Sequence, residues 1–209
     1  LELTPGVNLI TRILHIRAKK ILSEIRSADV MSKNVLILSA TPRKGGNSEI
    51  LCEEFERGAR EAGNAVELIK LREQDIRYCT GCGVCNSTHR CVQKDGMAKI
   101  LDKMVSADVI VLATPVYFYT MDAQLKTLID RTVPRYLEIS SKEFYFIVTA
   151  ADTQQCNLER TVEGLRGFTA ECLEGAVEKG IIYGTGAWQK GEIRHTPAMS
   201  EAYEMGLSV

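Results

Sequence analysis

The sequence predicts an α/β fold in which five parallel strands, in the order 2-1-3-4-5, carry helices on both faces. Short apolar runs alternate with amphipathic segments along the chain, and this alternation is typical of a parallel sheet. The run Asp108–Thr114 lacks the polar–apolar alternation of a half-exposed strand, so we expect both of its faces to be covered. Ligands bind such sheets at the carboxyl ends of the strands, near the point where the strand order reverses.

Each predicted element begins and ends at a local sequence signal. The strands are short apolar runs bounded by polar or turn residues, which distinguishes them from the longer segments with helical periodicity. The predicted strands cover residues 35–38, 65–71, 108–114, 144–149 and 180–184. The predicted helices cover residues 49–61, 95–106, 124–132 and 158–178, the last of these bent around Gly164 and Gly167, and a final helix opens at Thr196. The segment 115–119 is predicted to be a loop.

Size, charge and composition exclude several classes of protein. The chain has 209 residues, of which 45% are hydrophobic and 25% charged, and these are the proportions of an ordinary globular domain. The net charge of −1 argues against nucleic acid as a partner, and the apolar runs are too short for a membrane span. Seven cysteines, with no recognisable secretory signal, favour thiol, metal or redox chemistry in a reducing compartment. We therefore expect a cytoplasmic protein.

The first thirty residues differ in pattern from the rest of the chain. Apolar residues recur there at helical spacing beside a basic face, so we predict an N-terminal amphipathic helical extension over residues 1–30. Such a helix lies on a membrane surface or directs transit in one interpretation. In the other it packs on the domain or on a partner subunit. Residues 31–209 are predicted to form the ligand-binding domain.

The segment Asn34–Ser48 combines a buried strand, a polar loop and the start of a helix. Its loop, Ser39–Ser48, contains hydroxyl groups, one guanidinium group, two glycines and a possible capping pair. Backbone N–H groups at a helix start lack intrahelical partners, and the helix dipole makes that end partly positive. We therefore expect the loop to bind a phosphate monoester. The alternative is an ordinary strand-to-helix turn capped by Asn47 or Ser48.

Three loops follow strands one, three and four and should converge on one crevice. They are Ser39–Ser48, Pro115–Tyr119 and Ala150–Gln155. The first offers phosphate-binding groups, while the second offers a proline and three consecutive aromatic residues. This combination suits a planar ring joined to a phosphate, and FMN fits it better than ATP because no magnesium-binding phosphoryl-transfer site is recognisable. The alternative for the aromatic residues is packing at the rim of the sheet.

Four cysteines with the spacing C-x2-C-x2-C-x5-C lie between the second strand and the second helix. They are Cys79, Cys82, Cys85 and Cys91. One short loop could thus offer four thiolates, and Gly81 and Gly83 would let its backbone fold back. An iron–sulfur cluster, a zinc ion, and thiols without metal all remain open from this spacing. The other cysteines, Cys52, Cys156 and Cys172, lie in predicted helical stretches and are expected to be buried.

Three separated motifs carry a resemblance to a known family. SATPRKGGNS, CTGCGVC…CVQKDGM and ATPVYFYTMDAQLKTLIDR resemble the NADPH-dependent FMN reductase family, whose fold is flavodoxin-like. The cysteine spacing is most similar to that of the iron–sulfur flavoprotein branch. The resemblance covers about residues 33–186 and implies FMN as cofactor, NAD(P)H as co-substrate and a homodimer or higher homo-oligomer.

Position by position, the resemblance also implies a set of site residues. Phosphate contacts are implied for Ser39, Thr41, Arg43, Asn47 and Ser48, and ring contacts for Pro115, Val116, Tyr117, Phe118, Thr149, Ala150, Ala151 and Asp152. The loop Thr149–Asp152 departs from the glycine-rich version of some relatives. Cys79, Cys82, Cys85 and Cys91 are the implied ligands of a 4Fe-4S cluster.

The resulting functional prediction is an FMN-dependent oxidoreductase. Electrons would pass from NAD(P)H through FMN to a second acceptor, such as a quinone, a flavin or a redox protein. The alternative is an iron–sulfur flavoprotein electron carrier supplied by a ferredoxin-like donor, and a third class is a thiol-based redox sensor. Trp188, which follows the last strand, walls the acceptor pocket or a dimer contact in one interpretation and lies in a surface turn in the other.

Overall fold

Five parallel strands form the centre of the domain in a computed structural model that describes residues 32–209. They are β1 (Asn34–Ser39), β2 (Ala65–Lys70), β3 (Val109–Tyr117), β5 (Glu143–Thr149) and β6 (Val177–Gly184), while the two-residue strand β4 (Thr120–Met121) pairs antiparallel with the end of β3. The order across the sheet is β2-β1-β3-β5-β6. Apart from the short β4, this is the predicted order, and the flavodoxin-like fold is confirmed.

Residues 32–209 contain six helices, and all except the short, unburied helix at Cys85–Thr88 cover the two faces of this sheet. They are α1 (Asn47–Glu61), α2 (Cys85–Thr88), α3 (Met97–Ser106), α4 (Ala123–Asp130), α5 (Glu159–Cys172) and α6 (Ala198–Leu207), with 3-10 turns at residues 71–73, 136–138, 155–158 and 192–195. One apolar cluster packs α3, α4 and α5 against one face, and a second packs α1 and α6 against the other. Successive side chains of a strand point to opposite faces of the sheet. In β1, Ile37 and Leu38 are both fully buried but therefore belong to different clusters.

Helices α1 and α6 approach each other at two glycines. A Cβ atom built on Gly58 would lie 2.2 Å from the carbonyl oxygen of Tyr203, and one built on Gly206 would lie 2.2 Å from that of Phe55. Real Cβ atoms do not tolerate such distances, so only glycine lets the two backbones pack this closely.

Three predicted boundaries were wrong by three residues or more. Residues 115–117, predicted as loop, continue β3, because Val116 and Tyr117 pair with Met121 and Thr120 in a short hairpin. The helix predicted over 158–178 is α5, which ends at Cys172 and is continuous through both glycines; residues 177 and 178 instead begin β6. That strand lies at the edge of the sheet with its first residues exposed, so it lacks the apolar signal of a buried strand.

The isolated cysteines divide into two groups. Cys52 is fully buried on α1, as predicted, and burial raises the pKa of its thiol. Cys156 and Cys172 are exposed, which corrects the prediction that they are buried. Both lie at helix boundaries, Cys156 in the 3-10 turn before α5 and Cys172 at its last residue, where the side chain does not face the sheet.

The predicted extension over residues 1–30 lies outside the described part of the chain. Its amphipathic pattern is an observation on the sequence alone, and the domain boundary at residue 31 stays a prediction. Among residues 32–209, no helix combines the length and the apolar character needed to cross a membrane.

Candidate functional site

A crevice of about 380 Å³ opens where the carboxyl ends of β1, β3 and β5 meet. It lies at the reversal of strand order, where ligands bind in sheets of this kind. Its lining residues are Thr41, Arg43, Asn47, Ser48, Pro115, Val116, Tyr117, Phe118, Thr149, Ala150, Ala151, Ala187 and Trp188. The structure thus brings together all the predicted cofactor-binding residues except Ser39 and Asp152. It also adds Ala187 and Trp188.

One end of the crevice is lined by Thr41, Arg43, Asn47 and Ser48 and is here called the phosphate end after the ligand predicted for it; it contains a buried hydroxyl group without a hydrogen-bond partner in the described residues. Ser48, at the start of α1, is 1% exposed, and its Oγ has no hydrogen-bond partner within residues 32–209. The Oγ of Ser39, at the end of β1, is in the same situation. A buried polar group left unpaired costs about 1–3 kcal/mol. A ligand acceptor at this end would remove that penalty for Ser48, which lines the crevice.

The loop between β1 and α1 is folded tightly around this end. A Cβ atom on Gly46 would lie 2.7 Å from Thr41 Oγ1 and 3.0 Å from the carbonyl oxygen of Arg43, so the loop requires glycine there. Hydroxyl groups, a guanidinium group and the N–H groups of a helix start are donors that suit a phosphate. The residues present therefore fit the phosphate of FMN.

The buried carboxylate of Glu49, which the sequence analysis did not identify, stabilises the loop between β1 and α1. Glu49 is 2% exposed, and its Oε2 accepts from the backbone N–H of Gly45 at 2.9 Å and from Arg72 at 2.6 Å. Its Oε1 lies 2.6 Å from Lys70 Nζ. Burial opposes the charged form, but these partners outweigh it and hold the pKa of Glu49 below its usual range. In the sequence, the one local feature that pointed to Glu49 was its place as an acidic residue in the first turn of a helix.

Residues 187–191, here called the 187–191 loop, close over the phosphate end. Asn47 Nδ2 donates to the carbonyl oxygens of Ala187 and Gln189 at 3.0 Å each, and Asn47 Oδ1 accepts from the N–H of Gly191 at 2.9 Å. Arg43 Nη1 donates to the carbonyl oxygen of Trp188 at 3.0 Å. The Asn47 side chain therefore bonds to protein backbone at three points.

The opposite end of the crevice is formed by the turn between β3 and β4. Phe118 and Tyr119 occupy this turn with φ angles of 51° and 63°, a backbone region that side chains other than glycine rarely adopt. Phe118 is 99% exposed at the mouth of the crevice, and the guanidinium carbon of Arg160 lies 5.5 Å from the centre of the Tyr119 ring. Aromatic surface is thus held open to solvent at the end of the crevice opposite the phosphate end, where a planar ring could stack.

The third loop contributes backbone and methyl groups. Thr149 ends β5 and is buried, while Ala150 accepts through its carbonyl oxygen from the N–H of Ala187 at 3.0 Å. Asp152 does not line the crevice, because its carboxylate accepts from the N–H of Gln154 at 2.9 Å and from Asn157 Nδ2 at 2.7 Å. These bonds hold the pKa of Asp152 below its usual range.

Asp122 follows β4, close in sequence to the aromatic turn at Phe118 and Tyr119. Only one of its two carboxylate oxygens has a hydrogen-bond partner in the described residues. Its Oδ1 accepts from the N–H of Leu125 at 3.1 Å and caps α4, while its buried Oδ2 has no partner in the described residues. Burial raises the pKa of Asp122 to about 7. Because the folded-state pKa exceeds the usual value, the neutral acid favours folding, and this contribution is lost as the pH rises through about 7.

We expect Asp122→Asn to remove this pH dependence. Asparagine keeps the capping oxygen but does not ionise, so at pH 8 the variant should exceed the wild type in unfolding free energy by on the order of 2–4 kcal/mol. Near pH 4 the two should be similar. Urea unfolding between pH 4 and pH 8 measures the difference. Asp130→Asn, which removes an exposed carboxylate paired with Lys126, is the matched control and should show no such trend.

The four cysteines lie together on one loop but not as a formed metal site. Cys79 and Cys82 are exposed and Cys85 and Cys91 half-buried. Within residues 32–209, no three Cys, His, Asp or Glu side chains are grouped closely enough to hold a metal ion. Gly81 and Gly83 have positive φ angles, as their predicted role in folding the loop back requires, and the N–H of Gly81 donates to Cys79 Sγ at 3.4 Å. The donors suit an iron–sulfur cluster, but this arrangement does not, because the thiols would have to converge.

A buried ion pair joins the two ends of this cysteine loop. Arg131 donates to Asp95 through Nη1 at 2.7 Å and Nη2 at 3.0 Å, and both side chains are almost completely buried. Asp95 also accepts from the N–H of Arg77 at 3.2 Å and of Met97 at 3.1 Å, and Arg131 donates to the carbonyl oxygen of Arg77. The pair therefore fixes the residues that enter and leave the loop.

A second cavity, of about 640 Å³, lies beside this ion pair and is larger than the crevice. Most of its charged side chains already have partners: Arg131 pairs with Asp95, and Arg135 with Glu138 and Asp102, whereas Arg90 makes no ion pair within residues 32–209. It also lies away from the converging strand ends. The smaller crevice, with the unpaired buried hydroxyl of Ser48 at the ends of the strands, is therefore the better candidate for ligand binding.

Comparisons of the sequence with known proteins point to a family of flavin-dependent reductases. The sequence model of the NADPH-dependent FMN reductase family matches residues 33–179. An iron-sulfur flavoprotein of Archaeoglobus fulgidus is 37% identical over 94 residues, which are 45% of this chain and 43% of that protein. An iron-sulfur flavoprotein of Methanocaldococcus jannaschii is 39% identical over 100 residues, which are 48% of this chain and 52% of that protein. The chain spans about half the length of these curated relatives.

Solved structures show the same fold. An NAD(P)H:quinone oxidoreductase from Methanothermobacter marburgensis aligns with a TM-score of 0.68 over 85% of this chain and 98% of that one. At 17% sequence identity this likeness concerns the fold alone. The family match covers more than half of the chain and confirms the resemblance carried by the three motifs. The chain belongs to the NADPH-dependent FMN reductase family.

Proposed function

We propose that the chain is an FMN-dependent oxidoreductase that passes electrons from NAD(P)H through FMN to a second acceptor, such as a quinone or a flavin. The observation that carries this proposal is the crevice at the ends of β1, β3 and β5. The unpaired buried hydroxyl of Ser48 lies at one end of it and exposed aromatic surface at the other. Family membership and the description of the family support the same reaction.

The protein's part in this reaction is binding and orientation. Thr41, Arg43 and Ser48 would hold the phosphate together with the N–H groups at the start of α1. The backbone of Pro115–Phe118 and the loop after β5 would contact the edge and face of the ring. FMN, when bound there, would supply the redox chemistry, that is, hydride acceptance and electron release. Asp122 lies near this wall but does not line the crevice, so no crevice side chain is assigned as a general acid or base.

Reduction by nicotinamide nucleotides tests the proposal. Protein reconstituted with FMN should lose its flavin absorbance near 450 nm, a generic flavin band, when NADPH or NADH is added without oxygen. Adding a quinone should then restore the band. Bleaching by dithionite but by neither nucleotide would contradict the reductase proposal and leave FMN binding intact.

A second candidate function is electron transfer without nicotinamide, from a ferredoxin-like donor. The names of the two archaeal relatives and the four-cysteine spacing favour it. A 4Fe-4S cluster requires the loop to rearrange, because its thiols do not converge here. Iron and sulfide analysis of protein purified without oxygen decides this point: about four of each per chain supports the carrier, and none excludes it.

Assembly and compartment belong to the same proposal. We propose a homodimer or higher homo-oligomer acting in the cytoplasm, supported by the family resemblance and by the exposed side chains of Phe118 and Trp188 at the crevice mouth. Light scattering on the purified domain measures the assembly, and a monomer across the working concentration range would contradict that part of the proposal.

A further inference from the structure

The 187–191 loop has no assigned role, yet it touches the phosphate end of the crevice at several points. We propose that this loop is a fourth wall of the FMN site, in which Trp188 positions Arg43 for the phosphate and Asn47 holds the loop in place. The inference rests on the proposed function, because it concerns the same cofactor. It assigns positioning roles to Trp188 and Asn47.

The conformation of the loop is fixed from two sides. Asn47 binds it through three hydrogen bonds and is itself 9% exposed, so its amide is held within the structure. Glu192 Oε2 accepts from the N–H groups of Trp188 at 2.8 Å and of Gln189 at 2.7 Å. Each of these hydrogen bonds is made to the backbone of the 187–191 loop. The conformation of the loop therefore depends more on Asn47 and Glu192 than on the loop's own side chains.

Trp188 and Arg43 form one unit at the crevice. The guanidinium carbon of Arg43 lies 5.7 Å from the centre of the Trp188 ring, within the range of a cation–π contact, and its Nη1 donates to the carbonyl oxygen of Trp188. Both residues line the crevice. Arg43 is thereby held at one position while its remaining N–H groups stay free for an anion.

Arg43 differs in position from Lys70 and Arg72, the two cations that lie beneath the loop. Lys70 and Arg72 are both bound to the carboxylate of Glu49 beneath the loop. Arg43 is the cationic side chain that lines the crevice in the described residues, and it makes no ion pair there. Its orientation should therefore determine how well the site distinguishes a phosphorylated flavin from an unphosphorylated one.

Comparing FMN with riboflavin isolates this effect, because the two ligands differ only in the phosphate. Calorimetric titration should show that Trp188→Leu weakens FMN binding by about tenfold or more while changing riboflavin binding by about twofold or less. Trp188→Phe retains an aromatic face for Arg43 and should restore much of the difference. Asn47→Ala, which releases the loop, should lower the ratio of FMN to riboflavin affinity in the same direction.

The matched control is Gln189→Ala, since Gln189 takes part in these bonds only through its backbone. This variant should keep the wild-type ratio of affinities. Trp188 is the single tryptophan of the chain and is 63% exposed, so its substitution should leave thermal unfolding nearly unchanged. In the wild type, its fluorescence should be quenched as FMN binds and the quenching should follow the calorimetric curve.

The possible outcomes separate this inference from the proposed function. Wild-type protein that binds neither flavin overturns both. Wild-type protein that binds FMN, with a Trp188→Leu variant whose ratio of affinities is unchanged, overturns the inference alone. A change in oligomer size with an unchanged ratio also overturns it, because Trp188 would then serve a contact between copies.

Discussion

Arg131→Met is expected to lower the free energy of unfolding by about 3–5 kcal/mol and to release the base of the cysteine loop. The substitution removes the close counter-charge of the buried Asp95 carboxylate and leaves it the exposed Arg77 side chain, whose Nε lies 3.9 Å away; a buried charge so weakly compensated is strongly destabilising. It also removes the donor to the carbonyl oxygen of Arg77. Urea unfolding measures the first effect, and hydrogen exchange of peptides covering residues 74–97 measures the second.

The double variant Asp95→Leu with Arg131→Met separates charge from anchoring. With both charges replaced by apolar groups, the unfolding free energy should recover part of the way to the wild-type value, because no buried charge is left while the backbone groups that the pair bound stay unpaired. Hydrogen exchange at the N–H of Arg77 and Met97 should remain fast, because both lose the carboxylate that accepts from them. If the single variant were as stable as the wild type, the ion pair would not be the anchor described here.

The second large effect is expected for Gly58→Ala. Its methyl group would lie 2.2 Å from a backbone carbonyl of α6, so the helices must separate. Overpacking of a core usually costs 1–3 kcal/mol, and contact with backbone leaves little room for relief; we therefore expect about 3 kcal/mol or more. Thermal and urea unfolding of the purified variant measure this loss.

Gly167→Ala is the matched control for that substitution. Gly167 lies inside α5, and a Cβ atom there meets nothing within 4 Å. Alanine should therefore stabilise the domain by about 0.5–1 kcal/mol, through its higher helix propensity. Equal effects at Gly58 and Gly167 would contradict the close approach of α1 and α6.

The fold was predictable where buried apolar runs are dense and less so where elements are exposed. Strands β1 and β3 were located because both of their faces are covered. The beginning of β6 was missed because it is polar and exposed at the sheet edge, and the end of β3 because proline and aromatic residues resemble a loop. The hydrophobic pattern of a sequence reflects which residues are buried. An exposed strand is therefore hard to recognise from that pattern.

The candidate site shows the same division between local and distant signals. The loop Ser39–Ser48 and the aromatic run are contiguous in sequence, and their roles could be inferred from residue types. The bonds from Asn47 to the 187–191 loop, and from Arg131 to Asp95, join residues far apart in sequence. No local pattern announces such pairs. The cysteine spacing specified the donors of a metal site but not whether the backbone brings them together.

The hydrogen bonds of Asn47 join residues far apart in sequence, and this separation affects the order in which parts of the domain fold during synthesis. Asn47 is made early, at the start of the first helix of the domain, but the backbone groups that it binds lie 140, 142 and 144 positions later. Contacts so distant in sequence form late, because a long loop must close before they can stabilise anything. The sheet core around β1 and β3 can therefore assemble on a nascent chain whose crevice still lacks one wall. High-affinity capture of a phosphorylated ligand would then mark a chain whose 187–191 loop has reached its place.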